Sequence, residues 1–180
     1  TNTHVTTFAV DSLRYWAKRI GIDGFRFDLA PSIARLDGEF TRYHPFLYAL
    51  RSDLLLGNLK IIMEPWDLGN QGWRTGQFGI PFAEWNDRFR DTARTFWLSE
   101  AEQTQGNTIG MQEMATRRCG SADLFATDPG RGATASVNFV ACHDGFTLHD
   151  LTMYSHKHNE ANGENNHDGS NMNRSNNFGV

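Results

Sequence analysis

Gly21-Ile22-Asp23-Gly24-Phe25-Arg26-Phe27-Asp28-Leu29-Ala30 follows a helix-like segment, enters through Gly and Asp, and then alternates apolar and charged residues. A period of two places Phe25 and Phe27 on one face of a strand and Arg26 and Asp28 on the other. A carboxylate at the end of a buried strand is costly unless a cation or hydrogen bonds hold it, and Arg26 is the natural partner. Taken alone, the pattern fits a structural ion pair as well as a catalytic carboxylate.

Outward from this stretch, a helix and strand rhythm emerges. Val5, Phe8, Ala9, Ser12, Leu13, Trp16, Ala17 and Ile20 recur at three- and four-residue intervals, which predicts an amphipathic helix closed by Gly21. After the strand Gly24 to Asp28, Pro31 is a stop, Ser32 to Leu36 is a short helical turn, and Asp37 to His44 reads as a polar loop. A second helix is expected from Pro45 to about Leu56, with Phe46, Leu47, Leu50 and Leu54 as its apolar stripe and Gly57 as its end. Leu59 to Glu64 is a continuous apolar run ending in a carboxylate, the pattern of a buried parallel strand.

Leu68 to Pro81 reads as a surface loop, Phe82 to Asn86 as a third strand, and Asp87 to Trp97 as a helix. Between Gly106 and Arg131, helical turns are expected near Met111 to Arg117 and Ser121 to Phe125. Ser136 to Cys142 reads as a fourth strand running into His143-Asp144-Gly145. Phe146 to Met153 reads as a helix with Thr147 as its cap, and residues 156–180 as a polar, Asn-rich loop segment. Alternating helices and strands of these lengths predict an α/β fold of right-handed βα units, with residues 1–180 as one domain.

Composition narrows the classes. Hydrophobic residues make up 39% of the 180 and aromatics 12%, enough for a real core. A net charge of -4 argues against a nucleic-acid or anionic-membrane surface. No apolar run approaches a membrane span and none reads as a signal peptide, although residue 1 is Thr rather than Met. Cys119 and Cys142 lack metal-type spacing; Cys142 reads as a small core residue, and a reducing, cytoplasmic setting is the expectation.

Asp28, Glu64 and Asp144 each follow an apolar strand. In a parallel α/β barrel such positions gather on the C-terminal face, where chemistry occurs. Convergent carboxylates repel one another, so they hold a cation or do acid/base and nucleophilic work. A hard or borderline metal held with His143 is the rival reading, and the charge already supplied by Arg26 argues against it. Two carboxyl groups among aromatics suit glycosidic bond cleavage.

Three blocks now carry a resemblance: Gly24-Phe25-Arg26-Phe27-Asp28, Met63-Glu64-Pro65-Trp66-Asp67, and Phe139-Val140-Ala141-Cys142-His143-Asp144. In this order they resemble the signature of the α-amylase superfamily of retaining glycoside hydrolases. Glu64-Pro65-Trp66-Asp67, Ala83 to Asp87 and Asn162 to Asn166 are similar to its isoamylase-type branch, above all its bacterial glycogen-debranching members.

The resemblance implies Asp28 as nucleophile, Glu64 as acid and then base, and Asp144 and His143 as holders of the ring hydroxyls. Arg26 would keep Asp28 ionised within the binding site. Trp66 and Trp73 would stack on glucose, Asp67 would position loop atoms or contact sugar, and Trp85 would pack. No metal or cofactor is implied. The substrate would be an α-glucan, glycogen or limit dextrin, cut at α-1,6 branches. Alternatives on the same fold are α-1,4 hydrolysis or glucan transfer; a non-catalytic glucan-binding relative and a generic α/β domain with structural ion pairs are further alternatives.

The superfamily's first signature block is absent, and four strands stand where a closed barrel needs eight. The expectation is therefore about half of a TIM (β/α)8 barrel, strands 4 to 7. Unpaired strand edges should make such a piece self-associate or fold loosely, with little or no activity. Trp16 and Trp97 read as core residues, His167-Asp168-Gly169 as a turn, the Asn-rich run as lacking a calcium pattern, and the Asn173-Arg174-Ser175 sequon as coincidence. His4 and His44 suggest no partner.

Overall fold

The structure, a computed structural model, describes residues 2–98 and 109–179. The chain divides into two compact units: Thr1–Trp85 with Ala122–Val137, and Asn86–Ser121 with Asn138–Val180.

In the first unit, helix α1 (Thr3–Tyr15) is capped by the Asn2 side chain, which accepts from His4 N–H. It continues as a wider π-type turn, Trp16–Ile20, and Gly21 ends it at φ +79°, a left-handed conformation that glycine adopts without a Cβ clash. Strand β1 (Gly24–Phe27) follows, then a 3-10 turn, Ala30–Ala34, with Pro31 near its start. The span read as a polar loop contains a small antiparallel hairpin, β2 (Arg35–Leu36) and β3 (Glu39–Phe40).

Helix α2 is shorter than expected, Pro45–Ser52, with a separate 3-10 turn at Leu56–Asn58. Phe46, Leu47 and Leu50 are buried as its stripe predicts, whereas Leu54 lies beyond the helix end and is 93% exposed. His44 does find a partner. Its Nδ1 accepts from Phe46 N–H and caps α2, while burial holds its pKa below the ordinary imidazole value.

Strands β4 (Lys60–Met63) and β5 (Ala83–Asn86) complete the parallel core with β1, and β6 (Ser136–Asn138) lies beyond β5 in the order β1-β4-β5-β6. Gly24 pairs with Lys60 and Phe27 with Met63, while Met63 pairs with Glu84. Ala30, Leu47, Leu50, Leu56, Met63, Phe78 and Phe82 are essentially fully buried in this unit's core. A short helix, α5 (Ala122–Phe125), contributes the buried Phe125. The architecture is α/β with a parallel sheet, consistent with part of a TIM-barrel enzyme.

In the second unit, α3 (Asp87–Leu98) packs against α4 (Met111–Arg118). Asn86 accepts from Phe89 N–H through Oδ1 and donates to Ser121 Oγ through Nδ2. The expected helix from Phe146 begins only at Asp150, as α6 (Asp150–Met153), with Thr147 Oγ1 accepting from Asp150 N–H. The segment after His156 is irregular apart from a 3-10 turn, Glu160–Asn162.

Three further expectations need correction. The fourth strand stops at Asn138 rather than Cys142, so Asp144 follows an irregular stretch and not a strand end. Trp16 is 48% and Trp97 67% exposed, so neither is a core residue. Helical period identifies an apolar stripe but not whether another element covers it. Cys142 is only half-buried, and both cysteines are unbridged.

Candidate active site

The site in the first unit begins at the C-terminal ends of β1 and β4. These strands are neighbours and parallel, so the residues following them emerge on the same side. Asp28 is exposed, at 62% of its side chain, and Glu64 is buried, at 1%. Arg26 lies between them: Nη1 donates to Asp28 Oδ1 at 2.5 Å, and Nη2 makes an ion pair with Glu64 Oε1 at 2.7 Å. The period-two reading paired Arg26 with Asp28 alone; the parallel neighbour adds Glu64 as a second partner.

Backbone groups finish the arrangement. Leu29 N–H donates to Glu64 Oε2 at 2.6 Å, Ala30 N–H to the Glu64 carbonyl at 3.0 Å, and Glu64 N–H to the Phe27 carbonyl at 3.0 Å. Leu29 sits at φ +42°, left-handed for a residue with a branched side chain. That conformation costs about 1–2 kcal/mol and is maintained only where the surroundings demand it. Here it turns the chain after Asp28 so that the next amide faces Glu64. The indole of Trp85 lies 4.2 Å from the Arg26 guanidinium carbon and supports it from a ring face, in accord with a packing role.

The loop after β4 carries Trp66, Asp67 and Trp73, and Trp73 is 39% exposed. Asp67 is occupied by its own scaffold. Arg35 donates to both of its carboxylate oxygens, Nε to Oδ2 at 3.0 Å and Nη2 to Oδ1 at 2.9 Å, and Gly69 N–H donates to Oδ1 at 2.8 Å. The Arg35 hydrogen bonds hold its carboxyl below the usual carboxylate range. Of its two expected roles, positioning of loop atoms is the one these contacts describe.

Sequence reasoning missed Arg35, Glu84 and Arg131. Glu84 was visible only as a strand residue, yet it is fully buried with Arg131 as its ion-pair partner. Burial pushes the Glu84 carboxyl up, opposed by the charge of Arg131 and by the Gly76 and Phe78 amides. An acid in the middle of a strand and an arginine in a distant Gly-rich segment carry no joint signal in sequence.

His143 and Asp144 belong to the second unit. They are exposed, with Nε2 and Oδ1 3.6 Å apart, and Cys142 Sγ accepts from Asp144 N–H at 3.4 Å. They line a polar cavity of about 290 Å³ together with Asp150, Lys157, His158 and Asp168. The turn at Asp168 is held by Asn162 Nδ2, which donates to Oδ2 at 2.7 Å, and by Lys157 Nζ, which donates to the Asp168 carbonyl at 2.8 Å. Cys142, His143 and Asp144 offer ligand atoms within 4.8 Å of one another. Three consecutive side chains, two of them exposed, fall short of the four-ligand enclosure of a structural metal site.

The chain is 51% identical over 171 residues to the glycogen debranching enzyme of Erwinia tasmaniensis, covering 95% of this chain and 25% of that protein. It is 47% identical over 176 residues to the glycogen debranching enzyme of Klebsiella pneumoniae, covering 98% of this chain and 25% of that protein. The glycogen operon protein GlgX homolog of Mycobacterium bovis is 46% identical over 177 residues, covering 98% of this chain and 23% of that protein. This chain belongs to the glycogen debranching enzyme family. It spans about a quarter of the length of these curated relatives. No family model matches it.

Within that family of isoamylase-like α-amylase relatives, Arg26, Asp28 and Glu64 stand in the first and second of the ordered blocks, and His143 and Asp144 in the third. No helix among the described residues is long and apolar enough to cross a membrane.

Proposed function

We propose that this chain carries the catalytic carboxylates of a retaining glycoside hydrolase that cuts α-1,6 branch linkages in glycogen or limit dextrin. The observation that carries the reading is the single Arg26 guanidinium shared by Asp28 and Glu64 at the ends of adjacent parallel strands. A fork that reaches both groups keeps them within a few ångströms, the scale of the ~5–5.5 Å carboxyl separation used for retention of configuration. The names of the relatives supply the substrate class.

In this reading exposed Asp28, oriented by the Arg26 hydrogen bond, attacks the anomeric carbon and forms a covalent glycosyl intermediate. Glu64 gives its proton to the departing glycosidic oxygen, then takes one from the water that releases the sugar. Leu29 N–H and Arg26 fix the Glu64 carboxyl, which limits the reorientation needed between the two steps. Asp144 and His143 bind ring hydroxyls, and Trp66 and Trp73 offer ring faces to sugar. The strands correspond to the fourth to seventh of an eight-stranded barrel, and the setting is cytoplasmic.

Glu64→Gln in the intact protein tests this. The amide keeps the shape and cannot deliver a proton, so release of linear chains from a branched glucan should fall by at least about 10³-fold while glucan binding persists. Undiminished hydrolysis would remove Glu64 from its role.

A further inference from the structure

We propose that Glu84 and Arg131 are positioning residues that seat the loop 65–82 and so set the reach of Trp66 and Trp73 toward glucan. The proposal rests on the functional reading given above.

The pair is placed to do this. Glu84 lies on β5, directly opposite Met63, the residue before Glu64 on β4. Its side chain is fully buried, and that of Arg131 is 2% exposed. Beyond the ion pair itself, the pair hydrogen-bonds to the backbone of one loop. Glu84 Oε2 accepts from Gly76 N–H at 2.5 Å and Oε1 from Phe78 N–H at 3.1 Å. Arg131 donates through Nη1 to the Gly76 carbonyl at 2.9 Å and through Nη2 to the Phe82 carbonyl at 3.1 Å, and Nη2 also reaches Glu84 Oε1. The Phe125 ring lies 4.9 Å from the guanidinium carbon.

A buried ion pair is weak evidence of stabilisation, because desolvation offsets its attraction. Its information is geometric: a carboxylate and a guanidinium together present acceptors and donors that match only one path of the loop backbone. Gly76 shows how close that path runs. It adopts φ +90°, and a Cβ there would meet the Leu124 carbonyl oxygen at 2.6 Å. Trp73 stands three residues before Gly76, and Arg74 N–H donates to the Pro65 carbonyl at 2.7 Å. The Gly76 anchor is thereby relayed to the segment that begins at Trp66. Asp67 and Arg35 anchor the other end.

The test uses the intact protein, a branched glucan and the variant Arg131→Lys. Lysine keeps the charge opposite Glu84, but one ammonium cannot reproduce the fork to Gly76 and Phe82. The expected result is a KM raised about tenfold with kcat within about twofold, together with faster tryptic cleavage after Arg74 in the folded protein. A role confined to fold stability would lower the apparent kcat through loss of folded enzyme and leave KM alone, and that result overturns the proposal. Gly76→Ala leaves both charged residues intact and should reproduce the KM rise; an unchanged KM there overturns the proposal even if Arg131→Lys fails to fold. Wild-type protein that leaves the glucan uncut sinks the functional reading itself, and the seating of the loop then stands or falls on the tryptic comparison.

Discussion

Arg26 illustrates how one side chain links two strand ends. It emerges between Phe25 and Phe27, lies against Trp85, and divides its terminal nitrogens between Asp28 and Glu64. A lysine supplies the same charge as a single point and cannot hold both carboxyls at once. Arg26→Lys in the intact protein should lower kcat by about 10²–10³-fold, in the range of losing one preorganised electrostatic contact. Steady-state rates on a branched glucan check this, and a kcat within twofold of wild type would show that the shared fork is dispensable.

Asp67 is the second test at this scale. Arg35 holds its carboxyl below the usual range, so between the folded and unfolded pKa values the unfolded chain binds more protons and stability rises with pH. The contribution is complete above the unfolded value of about 4 and is lost as pH falls through the lower folded value. Asp67→Asn should cost about 1–3 kcal/mol at neutral pH and flatten the acid limb of melting temperature against pH. An acid limb parallel to that of wild type would show that Asp67 contributes nothing to it.

Among the elements, β1 and β4 matter most, because their register sets Asp28 against Glu64. Gly24 is where they come closest. A Cβ there would lie 2.3 Å from the Lys60 carbonyl oxygen, a backbone atom that cannot rotate away. Gly24→Ala should therefore destabilise by about 2–4 kcal/mol, read as a lowered thermal midpoint, with loss of activity beyond the loss of folded protein. An unshifted midpoint would mean that the ladder yields at no cost.

These strands were legible because buried parallel strands read as short apolar runs between helical periods, and their carboxylates marked the ends. The helix from Phe146 and the strand to Cys142 were read too long. Apolar residues such as Phe139, Val140 and Ala141 fit a strand pattern, but pattern alone does not supply a neighbouring ladder. The hairpin at Arg35 to Phe40 was hidden because two-residue strands leave no period to detect.

For the molecule as a whole, β1 and β6 each have one strand neighbour among the described residues. Helix α1 presents Phe8 at 77% and Val5 at 63% exposure. Near it an apolar cavity of about 430 Å³ is lined by Val5, Ala9, Phe27, Ile33 and Phe46. Open edges and apolar faces favour association. We expect this chain by itself to self-associate as its concentration rises in sedimentation velocity, and Phe8→Glu to weaken that association. A concentration-independent monomer mass would overturn the expectation.

The sequence by itself determined the α/β rhythm, the strands ending near Asp28 and Glu64, and the ordered blocks that mark the glycogen debranching enzyme family. Those features are local: they lie in period, in turn residues and in short contiguous motifs. Only the tertiary structure decided that Arg26 serves both carboxyls, that Asp67 is held by Arg35, and that Glu84 and Arg131 bond to the backbone of one loop. Each of these joins residues far apart in the chain, where the energy depends on burial and hydrogen-bond geometry that no single stretch encodes.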